Sequence, residues 1–322
     1  MSVQIGINAD SGTINGNLAV LESMLRDFHA AGFSYVEIPV HGVDCVINGN
    51  VAMLHLAMLK QILGKFPFSY TVHAPDALNL ADALQPEIHA AALQATIDFA
   101  AEIGARIVVY HGSWESNSHG ARMAKKPAPE DSAAIQAYWA REIDRLSRIA
   151  EYAEIRGVIV AVENIFQQRA HERTYRIDPR ELAAVVSAVN SRYLGICFDF
   201  GHAFISANEK GFAIEDALLA VLPNLAHVHI HDNYGKSSAG FSRPIDMLFQ
   251  GVGDLHLPPG WGSIPYSSLF PKFAPSYQGV FMMEIQPRFK DFYLYAISWI
   301  EKMAGANPKE LKELKEIKEI KE

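Results

Sequence analysis

The run Val158-Ile-Val-Ala-Val-Glu-Asn164, followed by Pro179 to Asn190 and then by Leu194-Gly-Ile-Cys-Phe-Asp199, decides the fold. Two short, largely apolar runs flank a stretch with helical spacing of apolar residues, and Pro179 stands where a first helical position favours proline. This is a βαβ unit, whose strands lie parallel. Working outward, the same alternation predicts strands at about Val3 to Asn8, Tyr35 to Pro39, Ser69 to His73, Ile107 to His111, Ala226 to Asp232 and Gly279 to Ile285. The plainest further helices are Val51 to Lys65, Pro86 to Gly104 and Asp131 to Arg156. Eight such units in 322 residues, with no Gly/Ser-rich or Pro-rich linker between them, predict an α/β protein with one closed (β/α)8 TIM barrel over residues 1–305. An open doubly wound sheet is disfavoured, because no Gly-x-Gly-x-x-Gly follows the first strand. From Lys309 the Lys-Glu-Leu and Lys-Glu-Ile triplets repeat with a period of 3, which lets apolar positions wander around a 3.6-residue helix, so residues 306–322 read as a solvated Lys/Glu tail, helical or disordered.

Composition limits the function. No apolar run approaches the roughly 20 residues that cross a bilayer, and Met1 to Asn15 lacks a basic start and a long apolar stretch, so a soluble, cytoplasmic protein without a membrane partner is expected. Cys45 and Cys197 are too few for a disulfide framework and read as small buried apolar residues. A net charge of -8 exerts no overall pull on a nucleic acid backbone. Thirteen histidines are the compositional excess, and their positions carry the information.

Active sites of such barrels lie at the C-terminal ends of the strands. His73, His111, Glu163, Asp199, His229 with His231, and Glu284 close six consecutive strands, and all are metal-capable. Buried carboxylates facing a common axis repel one another unless a cation neutralises them, so this pattern predicts a metal. Strand alternation puts His227, His229 and His231 on one face. His227 lies deepest and reads as a core histidine, while His231 stands nearest the rim. Two loop pairs add to the set: His202, three residues beyond Asp199, and Asp254-Leu-His256.

The ordered motifs Thr71-Val-His73-Ala-Pro, Val109-Tyr-His111-Gly, Val162-Glu163-Asn164, Phe198-Asp199-Phe-Gly-His202, His229-Ile-His-Asp232, Asp254-Leu-His256-Leu-Pro-Pro-Gly and Met283-Glu284-Ile resemble those of the xylose isomerase-like barrel superfamily, from about Val3 to Trp299. That group includes sugar and sugar phosphate isomerases and epimerases as well as endonuclease IV enzymes. The resemblance implies one divalent ion held by Glu163, Asp199, His229 and Glu284, with His202 on a substrate hydroxyl. In the endonuclease branch His73, His111, His202, Asp254 and His256 bind metal too, giving three zinc ions. This chain departs from the ketohexose 3-epimerases, which carry a glutamate and an arginine where Arg169 and Gly235 stand, and from the endonucleases, which have Pro-Gly-Ser where Gly112-Ser113-Trp114 stands. Basic residues after strand five (Arg169, Arg173, Arg176) and strand four (Arg122, Lys125, Lys126) read either as anion contacts or as ordinary loop charge.

The expected activity is that of a metal-dependent sugar or sugar phosphate isomerase or epimerase, with an endonuclease IV-like zinc phosphodiesterase acting on abasic DNA as the alternative. The former works through a metal-stabilised enediolate, with Glu163 and Glu284 from opposite sides of the barrel as acid and base. His73, His111, His202, Asp254, His256 and Trp114 are the expected substrate contacts. Mixed carboxylate and imidazole ligation suits Mn²⁺, Co²⁺ or Zn²⁺, and Mg²⁺ is admitted. The partner is a small-molecule sugar or sugar phosphate; nucleic acid is not expected, and a homo-oligomer is allowed. The long loops Gly112 to Glu130 and Asn233 to Gly262, with Trp114 and Trp261, are expected to form a lid.

Overall fold

A computed structural model of the chain describes residues 3–305, except 83, 114–131, 168–173 and 238–243. Eight parallel strands close into a barrel in which each strand pairs with the next in sequence and the last with the first. They are β1 (Ile5–Asn8), β2 (Tyr35–Pro39), β3 (Ser69–His73), β4 (Ile107–Tyr110), β5 (Ile159–Glu163), β6 (Leu194–Asp199), β7 (Leu225–Ile230) and β8 (Phe281–Met283). The helices Leu18–Ala31, Met53–Leu63, Pro86–Glu102, Ser132–Arg156, Pro179–Val189, Ile214–Val221, Tyr266–Phe273 and Tyr293–Gly305 lie in the connections and after β8. The barrel of the sequence reading is therefore present, and the Lys/Glu tail 306–322 lies outside the described residues.

Local chemistry sets the boundaries. Asn17 caps Leu18–Ala31 by accepting from Ala19 N at 3.0 Å, and Gly32 ends that helix with φ 95°. Asp178 caps the helix that begins at Pro179. One expected boundary moves: Val51 belongs to a two-stranded antiparallel ribbon, Val46–Ile47 with Asn50–Val51, and the next helix begins only at Met53. The ribbon turns on Asn48 and Gly49, both in left-handed backbone (φ 49° and 72°), the conformation that an Asn-Gly hairpin turn requires. Strand seven also ends sooner than expected. Its ladder stops at Ile230, His231 lies beyond it, and Asp232 makes an isolated antiparallel bridge with Leu257.

Outward-facing strand residues such as Val36, Val72, Val108, Val160, Ile196, Phe198 and Val228 are buried under the helices in one continuous apolar core. Val109, Ala161 and Cys197 point inward and form a separate small cluster. Among the described residues no helix is long and apolar enough to cross a membrane.

Candidate metal centre

The C-terminal ends of the strands open into a cavity of about 380 Å³, lined by Asn8, His73, His111, His202, Asp254 and Glu284 among others. Glu163 ends β5, Asp199 ends β6, His229 lies near the end of β7 and Glu284 directly follows β8. The first three are fully buried. His229 Nδ1 stands 3.2 Å from Glu163 Oε1, 3.5 Å from Glu284 Oε1 and 3.9 Å from Asp199 Oδ2. One ligand atom from each of the four lies within 4.8 Å of the others. Donors roughly 2.1 Å from a shared ion stand about 3–4.3 Å apart, so the quartet has the spacing of a chelate. Asp199 is fixed from behind: Oδ1 caps the helix Phe200–Lys210 by accepting from His202 N at 2.6 Å, and Asn164 exchanges two hydrogen bonds with the Asp199 backbone.

Two further donor sets adjoin the quartet. His111 Nε2 and His73 Nε2 lie 3.3 and 3.6 Å from Glu163 Oε2. On the other side Asp254 Oδ2 is 3.1 Å from His202 Nε2 and 2.7 Å from His256 Nε2. The His231 ring stacks on His256 with centroids 4.2 Å apart, and its Nε2 lies 3.1 Å from Asp199 Oδ2. Every expected site residue is thus at the barrel mouth except Trp114, which falls outside the described residues together with Arg122, Lys125, Lys126, Arg169 and Arg173. Arg176 is buried and donates to the His111 carbonyl and to Thr174 Oγ1, which makes it a brace behind β4. Trp261 packs edge-on against Phe292 at 4.6 Å on the rim.

The electrostatics follow from the four carboxylates and six imidazoles just named, held together in a largely buried space. Burial alone would push the Glu163 carboxyl up, but His229 and His111 outweigh it and hold it well below the usual carboxylate range. Asp254 is lowered in the same way by His256, His231 and His202. Burial works to lower His73 and His256; the Glu163 carboxylate beside the one and the charge of Asp254 beside the other prevail, and both rise to about 10. Carboxylates so placed need positive charge beside them, from imidazolium or from a bound cation. The residues also fit a metal on a separate observation. Glu163 Oε2, His231 Nδ1 and Asp254 Oδ1 are buried without a hydrogen bond, and a ligand atom left unpaired in a dry site suits a cation.

Sequence reasoning missed Glu37. Its carboxylate lies on the inner face of β2, fully buried, and accepts from Asn8, Thr71, His227 and His229. The available signal was a lone acid inside an apolar strand, on the same face as Tyr35 and Pro39. Asp232 was also underrated. It accepts from the backbone N–H groups of Asn233, Gly260 and Ile264, and so ties the loop that carries Asp254 and His256 to the end of β7.

Similarity to known proteins agrees with this architecture. The crystal structure of a D-tagatose 3-epimerase-like protein superposes with a TM-score of 0.70 at 20% identity, covering 94% of this chain and 97% of that one. D-allulose 3-epimerase from Methylomonas sp. gives 0.66 at 15% identity over 94% and 98%. The 3-keto-D-glucoside 4-epimerase YcjR from E. coli gives 0.65 at 16% identity over 94% and 100%. At these identities the likeness is one of fold. The uncharacterized protein MJ1311 of Methanocaldococcus jannaschii is 31% identical over 140 residues, 43% of this chain, and the match spans only 41% of that relative's length. Residues 25–303, most of the barrel and all four members of the quartet, match the family described as xylose isomerase-like TIM barrel, and the chain belongs to that family.

Proposed function

We propose that this protein is a divalent-metal-dependent isomerase or epimerase of a sugar or sugar phosphate. The observation that carries the reading is the placing of Glu163 and Glu284. The two carboxylates stand at the end of β5 and just after β8 and flank His229 Nδ1, and Glu284 lines a cavity of about 380 Å³, a size that suits a small polyhydroxy compound. Glu163, Asp199, His229 and Glu284 would hold the ion, whose contribution when bound is that of a Lewis acid towards neighbouring carbonyl and hydroxyl oxygens, acidifying the carbon between them. Glu163 takes a proton from that carbon and Glu284 delivers one to the opposite face or to the neighbouring carbon, or the reverse. His73, His111, His202, Asp254 and His256 hydrogen-bond the substrate's oxygens. The solved epimerases of similar fold support this reading, since they are named for sugar substrates.

The test is an isomerisation and epimerisation screen over free and phosphorylated ketoses and aldoses in heavy water, with the metal content of each preparation measured. Product carrying one solvent-derived deuterium at the reacting carbon is expected. Turnover that needs no metal, or transfer with no solvent exchange even at long reaction times, would oppose the two-carboxylate mechanism.

A second reading has its own observation. The sets His73-His111-Glu163, Glu163-Asp199-His229-Glu284 and His202-His231-Asp254-His256 are three adjoining groups of donors, as a trinuclear phosphodiesterase of the endonuclease IV type would need. Close to three zinc ions per chain together with cleavage of an abasic-site oligonucleotide would establish it in place of the sugar enzyme.

A further inference from the structure

Glu37, His227 and the quartet's own His229 also form a group of three potential ligands, which reaches one layer down into the barrel. Their surroundings give the group another purpose. Glu37 Oε1 accepts from Asn8 Nδ2 at 2.9 Å and from His229 Nε2 at 3.0 Å. Oε2 accepts from Thr71 Oγ1 at 2.9 Å and from His227 Nε2 at 3.2 Å. A carboxylate offers about four acceptor positions, and four donors fill them. No lone pair is left for an ion, and the trio is a closed hydrogen-bonded unit.

Its effect falls on the quartet above. An imidazole whose Nε2 proton is held by a carboxylate has its lone pair on Nδ1, and Nδ1 of His229 is the atom that faces Glu163, Glu284 and Asp199. Asn8 extends the same control to a second ligand, because its Nδ2 donates both to Glu37 Oε1 and, at 3.0 Å, to Glu284 Oε1. One buried carboxylate on β2 thereby governs donors on β7 and β8.

We propose that Glu37 is a positioning residue of the metal centre: it holds the Nε2 proton of His229, so that Nδ1 is the nitrogen left to bind the ion, and, through Asn8, it sets the Glu284 carboxylate. The inference rests on the metal reading of the quartet. Partners of this kind, one step removed from a metal, typically change affinity by about 10- to 100-fold.

The test titrates metal-free protein with Mn²⁺, following the free ion by electron paramagnetic resonance. Glu37→Gln, which keeps the shape but turns half of the acceptor into a donor, should bind about 10- to 100-fold more weakly than wild type. Thr71→Val, which removes a donor to Glu37 that does not touch His229, should bind like wild type. Equal affinity of Glu37→Gln and wild type overturns this inference alone, as does an equal loss in Thr71→Val, which would mean generic loosening of the layer. Absence of Mn²⁺ binding by wild type up to millimolar ion removes the metal reading and the inference with it. If Glu37→Gln fails to fold, ¹⁵N-histidine spectra of the Zn²⁺-loaded wild type decide the matter: the His229 proton on Nε2 supports the proposal, and on Nδ1 overturns it.

Discussion

The two faces of the same eight strands form two environments. On the outer face Ile196, Phe198, Val228 and Ile230 are buried in a continuous apolar core under the helices. One residue away in each case, the inner face carries Cys197, Asp199, His227 and His229, equally buried yet almost all polar. Both faces are inaccessible to water, so burial does not separate them. Partners do: outer side chains meet aliphatic and aromatic neighbours in any register, whereas each inner carboxylate or imidazole needs a particular donor, acceptor or ion. The outer face therefore sets stability, and the inner face sets what the barrel can bind.

The largest effect that would sharpen this division is expected from Glu163→Gln and Glu284→Gln. On the proposed reading each removes a ligand charge and a proton-transfer group at constant size, and turnover should fall by at least about 100-fold, the lower end for a lost acid or base, with the unfolding midpoint changed little. Steady-state kinetics on folded, metal-analysed protein measure it. A variant that keeps more than about a tenth of the rate, a loss under ~1.4 kcal/mol, would break the two-carboxylate mechanism. On the outer face Phe198→Ala should cost about 3–5 kcal/mol of stability by leaving a cavity beside Phe200, while kcat of the folded fraction stays close to wild type. Denaturant unfolding beside kinetics checks it; a kcat loss as large as the stability loss would mean that the faces are not separable.

Gly201→Ala tests how tightly the inner side is fitted. A Cβ there would come within 1.9 Å of the His231 ring, so the ring must leave Asp199. Overpacking of this kind costs about 1–3 kcal/mol, read from thermal unfolding, and the His231 imidazole resonances should shift. Unchanged resonances would show that the ring is not held where it stands. A smaller change is expected for His111→Asn, which on the sugar-enzyme reading raises KM by roughly tenfold, the worth of one hydrogen bond to a charged or polar partner, without altering the metal content. Loss of metal in that variant would favour the trinuclear reading. Least of all should happen with the thiols. Burial pushes Cys45 up to about 12 and Cys197 well above its ordinary value, so native protein at pH 8 should take up almost no thiol reagent until it is denatured. Rapid labelling of Cys197 would show that the inner floor opens to solvent.

The barrel was legible because its signal is periodic. Outer-face residues such as Val160 and Val162 must be apolar and β-branched, and eight repeats of that demand are hard to mistake. The ends of the strands were legible to within a few residues, since His73, Glu163 and Asp199 stand where each run stops. Glu37 was not legible, because it lies mid-strand and nothing local says that a carboxylate there will find Asn8, Thr71 and two histidines from β7. That information is in the closure of the barrel, which brings residues 190 positions apart into contact. The ribbon at 46–51 was missed for the opposite reason: its Asn48-Gly49 signal is wholly local, but the strands are two residues each, too short for any period to register.

The Asp232 anchorage has a consequence for how such a protein changes over generations. Asp232 and Leu257 exchange backbone hydrogen bonds, and Gly253 N donates to the Lys236 carbonyl, so the excursion between them is cinched at its neck before Asp254 and His256 are reached. Residues added between Lys236 and Gly253 would leave that neck tied, and each doubling of a connection's length costs only about 0.6 kcal/mol of closure entropy. On the sugar-enzyme reading, substrate preference can therefore drift by insertion and deletion in this segment while the chemistry beneath is inherited unaltered.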